Sequence, residues 1–560
     1  MRKLTELSGF VFRINVSLLF NQPGNEFSMD CTSTKTAYGQ TGFFSKIIQD
    51  YLKEENKLRP FYSHPVSVDG IKAAIKERKA FSTDRKLLVE ELQKQYANER
   101  ITSNQQLNIQ QLNNENCFTI TTAHQPNIFT GHLYFIYKIL HAVKLAGFLK
   151  TKIKDCDFVP VFYMGSEDAD LDELGQVHIN GVKHEWKTNQ TGAVGRMKVD
   201  KALVKMLDDI SGEITVHPFG KEIIEQVKTC YTEGITIEQA TFKLINGLFG
   251  DYGLLVLLPD NAGLKRAFIP VAEKELTETF SHPLVESTVA KFPKEYKVQA
   301  GGRELNLFYL KDDSRERIVK ENSKFKIQNS KLEFDAPGVM NELQQHPERF
   351  SPNVILRPVF QEMILPNVAF IGGGGEVAYW LELKKVFESV KVPFPVLVLR
   401  NSFMIVKKNH LETMKKLGFT INDLFKTENE LLNMLVKRDS EVQLSLEKEK
   451  QAVHIFYAKL KAAAGAVDKT LEKHTEALQK LALNKIEALE KKMLRAEKKK
   501  FDAQQRQLHK LKAQLFPNDG LQERIENLMP FYAKWGSGFI DAIYKNSLAL
   551  EQEFVILEEK

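Results

Sequence analysis

The chain has 560 residues, 43% of them hydrophobic, with 78 basic and 72 acidic side chains and a net charge of +6. That length and apolar content provide for a large core divided into two or three domains. The near balance of charge, without any nucleic-acid-binding signature, argues against a nucleic-acid binder and suits small anionic ligands. Cys31, Cys117, Cys156 and Cys230 show no CxxC spacing, which argues against structural zinc and for reduced thiols in a cytosol. No apolar run is long enough for a membrane helix.

Residues 1–28 open with MRKLTELSGFVFRINVSLLF, whose apolar stretch is broken by Arg13 and Asn15, and no small-residue cleavage site precedes NQPGNEFS. This pattern fits neither a secretory signal nor the start of a compact element. Residues 1–28 are therefore expected to be a non-native or disordered extension, with Met29 opening the folded part.

Residues 29–421 read as α/β. Five β-rich runs, CFTITT, FVPVFYM, GLLVLL, NVAFI and FPVLVL, are bounded by polar or turn residues and followed by helical periodicity, as expected of buried, mainly parallel strands. The exits from these runs carry most of the polar chemistry: AHQPN at Ala123, GSEDAD at Gly165, PDN at Pro259, GGGGE at Gly372 and RNS at Arg400. Ligands of open α/β sheets bind at the carboxyl ends of the strands, so these exits are expected to converge.

In HQPNIFTG, His124 and Gln125 leave the strand, and Gly131 lets the backbone turn toward a helix beginning near His132, whose amides would face an anion. A lone histidine is more often structural than catalytic, and His132 and His141 fit that role better than His124. Tyr134 and Lys138 lie one helical turn apart and share a face; Lys138 reads equally well as solvated. SEDADLDE crowds Glu167, Asp168, Asp170, Asp172 and Glu173 together, and such carboxylates repel unless a cation, a substrate amine or a raised pKa relieves them. Ser166, Glu167 and Asp168, nearest the strand end, are the expected contacts, against the alternative of a solvated acidic loop.

The most informative stretch is LRPVFQEMILPNVAFIGGGGEVAYWLELKKVF, residues 356–387. Gly372, Gly373, Gly374 and Gly375 carry an entropic cost unless backbone must approach a ligand or turn through positive φ. Placed between a strand and a helix, their amides favour a phosphate or carboxylate. A ligand-free glycine turn is the alternative; Glu376, Tyr379 and Trp380 favour a site.

Residues 422–515 change character: glycine almost vanishes and Lys, Glu, Ala, Leu and Gln dominate. Ile486, Leu489, Met493 and Ala496 step by the three-four alternation of a coiled-coil seam, with Leu471 and Leu478 before them and Leu508, Leu511 and Leu515 after. A long helical hairpin or coiled coil is expected, forming a homodimer because an unpartnered seam exposes an apolar stripe. The Lys-rich KKMLRAEKKK reads as a solvated helix face. Residues 516–560, rich in aromatic and aliphatic side chains, are expected to dock back on the core.

Taken in order, TTAHQPNIFTGHLYFIYKILHAVKLA, VPVFYMGSEDADLDEL, RELNLFYL, the glycine stretch and LFPNDGLQERIENLMPFYAKWG resemble the cysteine ligase BshC family of bacillithiol biosynthesis, from about Met29 to the C-terminus. The resemblance implies a Rossmann-like core with inserted connecting segments, a coiled-coil domain that mediates dimerisation, and the joining of cysteine to glucosaminyl malate in the cytoplasm. Two departures stand out. Relatives commonly read TGQQ where this chain has Thr122, Ala123, His124 and Gln125, and a His often follows the Glu-Asp pair where this chain has Ala169.

Amide formation from a carboxylate calls for activation as an acyl adenylate or acyl phosphate, with ATP consumed. Magnesium is a candidate companion of ATP, and no structural metal is expected. The glycines would supply a phosphate cradle. His124, Asp168 and Glu376 are the candidate catalytic groups, and Arg303, Arg357 or Arg400 would meet developing negative charge. Gln125, Tyr134, Ser166, Glu167, Tyr379 and Trp380 complete the expected contacts. No P-loop or GxGxxG fingerprint is present. Two other readings compete: a nucleotidylyltransferase or synthetase-like enzyme on another small acid, and a non-catalytic dimeric scaffold.

Overall fold

The computed structural model of the protein describes residues 29–311 and 313–560; the expected extension of residues 1–28 lies outside them. The five apolar runs form one parallel sheet in the spatial order Val396–Leu399, Asn367–Gly372, Cys117–His124, Asp157–Met164, Leu255–Leu257. These strands are buried almost without interruption, which is why they read as continuous apolar runs and not as alternating ones. Polar residues among them are satisfied internally, as where the Thr122 hydroxyl donates to the Ile371 carbonyl at 2.9 Å.

The chain enters this sheet in the middle, builds outward through two strands on one side, and later adds two on the other. The reversal falls between Cys117–His124 and Asn367–Gly372. At such a switch point the connecting segments leave in opposite directions and a crevice opens above the carboxyl ends. The helix Leu133–Lys152 follows the first strand and is buried on most of its faces. Its His141 is a structural residue: the Asn401 N–H donates to Nδ1 at 3.1 Å, and Nε2–H donates to the Ala549 carbonyl at 2.8 Å.

Insertions frame the crevice. Between the second and third strands lie a two-stranded ribbon, Gln176–Ile179 with Val182–Glu185, and the helices Lys201–Ile214, Gly220–Cys230 and Ile237–Phe249. Between the third and fourth lies a five-stranded antiparallel sheet that includes Leu307–Lys311, Ser314–Glu321 and Phe350–Pro352. The C-terminal strand Phe554–Glu559 pairs antiparallel with Cys31–Thr36 and parallel with Ser402–Val406, so it forms the middle of a small three-stranded sheet.

Helices Glu447–Val467 and Thr470–Lys498 fold back on each other as a hairpin. Lys450 bonds Glu490 at 2.8 Å and Gln479 meets His454 at 2.8 Å across it. The expected seam divides. Leu508, Leu511 and Leu515 are buried at the base, where Met493 also packs. Leu471, Leu478 and Leu489 are 40%, 42% and 52% exposed, and Ala496 is exposed as well. Within one chain, the hairpin covers only the lower part of the stripe.

Candidate active site

All five strand exits reach one cavity of about 350 Å³. Ala123, His124 and Gln125 come from the first strand, Gly165 to Asp168 from the second, and Pro259 from the third; Gly373, Gly374, Gly375 and Glu376 follow the fourth, and Arg400 the fifth. Tyr134, Tyr163, Arg357 and Tyr379 add side walls. The volume is that of a pocket for a small molecule.

The most tightly built part is a buried ion pair. Lys138, 1% exposed, donates to the Ala123 carbonyl at 2.5 Å and to Glu376 Oε2 at 2.6 Å. Lys138 is thus not solvated. The same Oε2 accepts the Gly373 N–H at 2.8 Å. Burial alone would raise the Glu376 pKa, but Lys138, His124 and the Gly373 amide together hold it below the usual carboxylate value. Glu376 is therefore a fixed anion in the cavity wall with Oε2 committed to Lys138 and Gly373, an arrangement that holds a cation better than it takes a proton.

His124 stands beside this pair. Its Nδ1 lies 3.2 Å from the Gln125 carbonyl and its Nε2 lies 3.1 Å from the Tyr134 hydroxyl. A carbonyl oxygen only accepts, so Nδ1 carries the proton and Nε2 accepts from Tyr134. Burial, reinforced by Lys138, pushes the imidazole pKa down to about 4, so the ring is neutral at physiological pH. Gln125 donates to Asp168 Oδ2 at 3.0 Å, while Asp168 Oδ1 accepts the Ala169 N–H at 2.8 Å.

Glu167 faces the cavity, but its carboxylate is engaged by Lys265 and by the Ser351 hydroxyl at 3.2 Å. Burial pushes its pKa up and Lys265 opposes the rise. Ser166 is fully buried, with the Glu238 carboxylate beside its hydroxyl. Arg400 is spoken for by Glu523 at 2.8 Å, and its guanidinium lies over the Tyr134 ring. Arg357 bonds the Tyr379 hydroxyl and Gln361 Oε1, both at 3.0 Å, and meets no carboxylate at ion-pair distance among the described residues.

Several expected contacts lie elsewhere. Trp380 is a core residue, stacked on Phe370 at 4.3 Å, because its face of the short helix Gly374–Trp380 rests on the sheet. Arg303 sits on an exposed loop outside the cavity. Gly131 serves the turn and not an anion: φ is +59°, and a Cβ there would lie 2.7 Å from that of Asn127. Gly372 stays within the strand, where a Cβ would meet the Phe370 ring at 2.9 Å and Glu376 Cβ at 3.1 Å. None of the four consecutive glycines has positive φ; a Cβ would be crowded only at Gly372, would make ordinary contacts at Gly373 and Gly374, and would meet open space at Gly375. Gly373 already gives its amide to Glu376; Gly374 and Gly375 line the cavity at the first turn of the helix Gly374–Trp380.

Two cationic wall residues escaped the sequence reading. Arg315 projects from the antiparallel insertion, 3.3 Å from the Ser351 hydroxyl and stacked over Phe308. Arg524 arrives from the segment after the coiled coil. Neither has a carboxylate at ion-pair distance among the described residues. The LQERIENLMP stretch was visible as a motif, but nothing local marked Arg315. Among the described residues, no three His, Cys, Asp or Glu side chains group in a way that could hold a metal ion, and no helix is long and apolar enough to cross a membrane.

Fold and crevice define a Rossmann-like α/β protein with a cavity of small-molecule size at its topological switch point and a coiled-coil arm. The family model for the N-terminal Rossmann-like domain of BshC, of bacillithiol biosynthesis, matches residues 29–401, and that for the BshC C-terminal coiled-coil domain matches residues 403–559. Relatives named "Putative cysteine ligase BshC" occur in Flavobacterium johnsoniae and Flavobacterium psychrophilum, each 37% identical over 94% of this chain and 99% of the relative. One of the same name in Christiangramia forsetii is 35% identical over 93% of this chain and 98% of the relative. The chain belongs to the BshC family.

Proposed function

We propose that the protein joins the carboxyl group of cysteine to the amino group of glucosaminyl malate, the last step of bacillithiol formation, with ATP activating the carboxylate. The observation that carries this reading is the charge layout of the cavity: Glu376 and Asp168 offer carboxylate oxygens, while Arg315, Arg357 and Arg524 face the same space without carboxylate partners among the described residues. An amino acid, a dicarboxylate and a phosphoryl group present the complementary set of one ammonium and several anions.

In this reading the Glu376 carboxylate receives an ammonium, and Lys138 keeps it ionised and in place. The arginines hold the carboxylates and the phosphates, and stabilise charge on the acyl oxygen as the tetrahedral adduct forms. The amides of Gly374 and Gly375 add donors for a phosphate. Magnesium would arrive with ATP, bound mainly by phosphate oxygens and water. Free thiol and ATP as substrates fit a reducing cytoplasm. Ile455, Phe456, Leu481 and Leu489 are 62%, 57%, 58% and 52% exposed on the hairpin, which supports a homodimer through the coiled coil.

Incubating the protein with glucosaminyl malate, cysteine and ATP, then weighing the products by mass spectrometry, tests the reading. An ATP-dependent product with the mass of both substrates less one water is expected. Its absence under conditions where the protein is folded would refute the assignment.

A further inference from the structure

Tyr134 and His124 form a pair whose chemistry reaches past substrate binding. Both line the cavity, and the first is wedged beneath the Arg400 guanidinium, whose carbon lies 5.0 Å from its ring centroid. The proton placement is set by geometry: the Gln125 carbonyl claims Nδ1–H, so the lone pair on Nε2 points at the Tyr134 hydroxyl, 3.1 Å away. A hydroxyl bonded to a neutral base, which is itself oriented by a third group, is the arrangement used to activate nucleophiles and move protons. The tyrosine oxygen keeps a lone pair for a ligand.

We infer that Tyr134 is a catalytic proton relay, taking the proton released by the attacking amine and passing its own to His124. The inference rests on the ligase reading. As the amine lone pair forms the new C–N bond at the activated carbonyl, the adduct nitrogen carries an extra proton. That proton moves to Tyr134 Oη while the phenolic proton moves to His124 Nε2. The C–O bond to the phosphoryl group then breaks, its electron pair leaving with phosphate or AMP. The products are the amide and an imidazolium, which returns its proton to water. Glu376, with Oε2 held by Lys138 and Gly373, is thereby freed from the role of base. Burial and Lys138 keep His124 neutral beforehand, so the acceptor is ready when substrate arrives.

The Tyr134→Phe variant keeps the ring and removes only the oxygen; His124→Gln keeps a hydrogen-bond acceptor that takes no proton. Each should slow amide formation by about 10²-fold or more, while cysteine-dependent exchange of labelled ADP (acyl phosphate) or pyrophosphate (acyl adenylate) into ATP is slowed at least about tenfold less. The double variant should be no slower than the worse single, because the two residues act as one unit. Losses that multiply, exchange that falls in parallel, or a Tyr134→Phe variant at wild-type speed would each overturn the relay. If the wild-type protein forms no amide at all, the ligase reading fails, and the relay with it. A substrate-independent check is the ¹⁵N spectrum of His124: a proton on Nδ1 and a hydrogen-bonded lone pair on Nε2 are expected, the latter shifting in Tyr134→Phe. A proton on Nε2 would overturn the proposal in the free protein.

Discussion

The crevice and the hairpin handle charge and apolar surface in opposite ways. At the crevice, three ion pairs are buried within the chain, Lys138 with Glu376, Lys265 with Glu167, and Arg400 with Glu523, beside arginines without a carboxylate at ion-pair distance among the described residues. Along the hairpin, ion pairs such as Lys461 with Glu476 are 40% and 55% exposed, of the kind that contributes about 0–1 kcal/mol, and leucines face water. A buried pair whose partner is removed costs about 3–5 kcal/mol, so the crevice is intolerant of change. The hairpin has the surface of an element meant to be covered by something else. One chain assembles the crevice, and along the arm it leaves apolar side chains exposed.

The sharpest break of this contrast is at the buried pair. Glu376→Gln should reduce amide formation by about 10³-fold, within the range for loss of a charge-positioning group, and should also lower stability by about 3 kcal/mol because buried Lys138 loses its counter-charge. Lys138→Met in the same protein should restore much of the stability and none of the activity. Steady-state kinetics with urea titration of each variant checks both halves; a Glu376→Gln protein as stable as wild type would show that the pair is looser than the geometry indicates.

Acid should act next, again on the core. The pKa values of His124 and His141 are lowered to about 4, against about 6.5 in the unfolded chain. Between those values the unfolded state binds the extra protons, so stability is full above pH 6.5 and is lost progressively as pH falls toward 4. For His141 the cause is concrete, since protonating Nδ1 would set two N–H groups against each other at Asn401. Unfolding free energy should fall from pH 7 to pH 5 by about 2 kcal/mol for each such histidine. His141→Gln should flatten that slope by one such share, as read from urea midpoints at the two pH values.

The arm should show the smallest effect on the fold and the clearest one on assembly. Leu481→Glu with Leu489→Glu places charge on residues that are 58% and 52% exposed, so the stability of one chain should change by about 0.5 kcal/mol or less per site. If the stripe is the dimer contact, sedimentation should report monomers. Persistent dimers would move the contact elsewhere.

Much of the crevice was legible in sequence because buried parallel strands read as mostly apolar runs, so charged and imidazole side chains cluster at their carboxyl ends. His124, Asp168, Glu376 and Arg400 stand at such points. Arg315 was not legible: it sits within SRERIVKE, an ordinary half-exposed strand pattern, and only the folding of the insertion over the sheet brings it to the cavity. Trp380 misled for the opposite reason, since closeness in sequence to the glycines did not reveal which side of a short helix meets Phe370. The a/d stepping at Leu471, Leu478 and Leu489 identified a stripe but not its partner, because periodicity records that a face is apolar and not what covers it.

The central claim is that one crevice activates a carboxylate and delivers it to an amine. Cysteine labelled with ¹⁸O in both carboxylate oxygens tests this most directly, with the protein, ATP and glucosaminyl malate in one reaction followed by mass spectrometry. Activation by a phosphoryl group predicts that one ¹⁸O stays in the amide and the other appears in phosphate or in AMP, one label per amide formed. An amide formed with no label in either phosphorus product, or no amide from folded protein, would contradict the account.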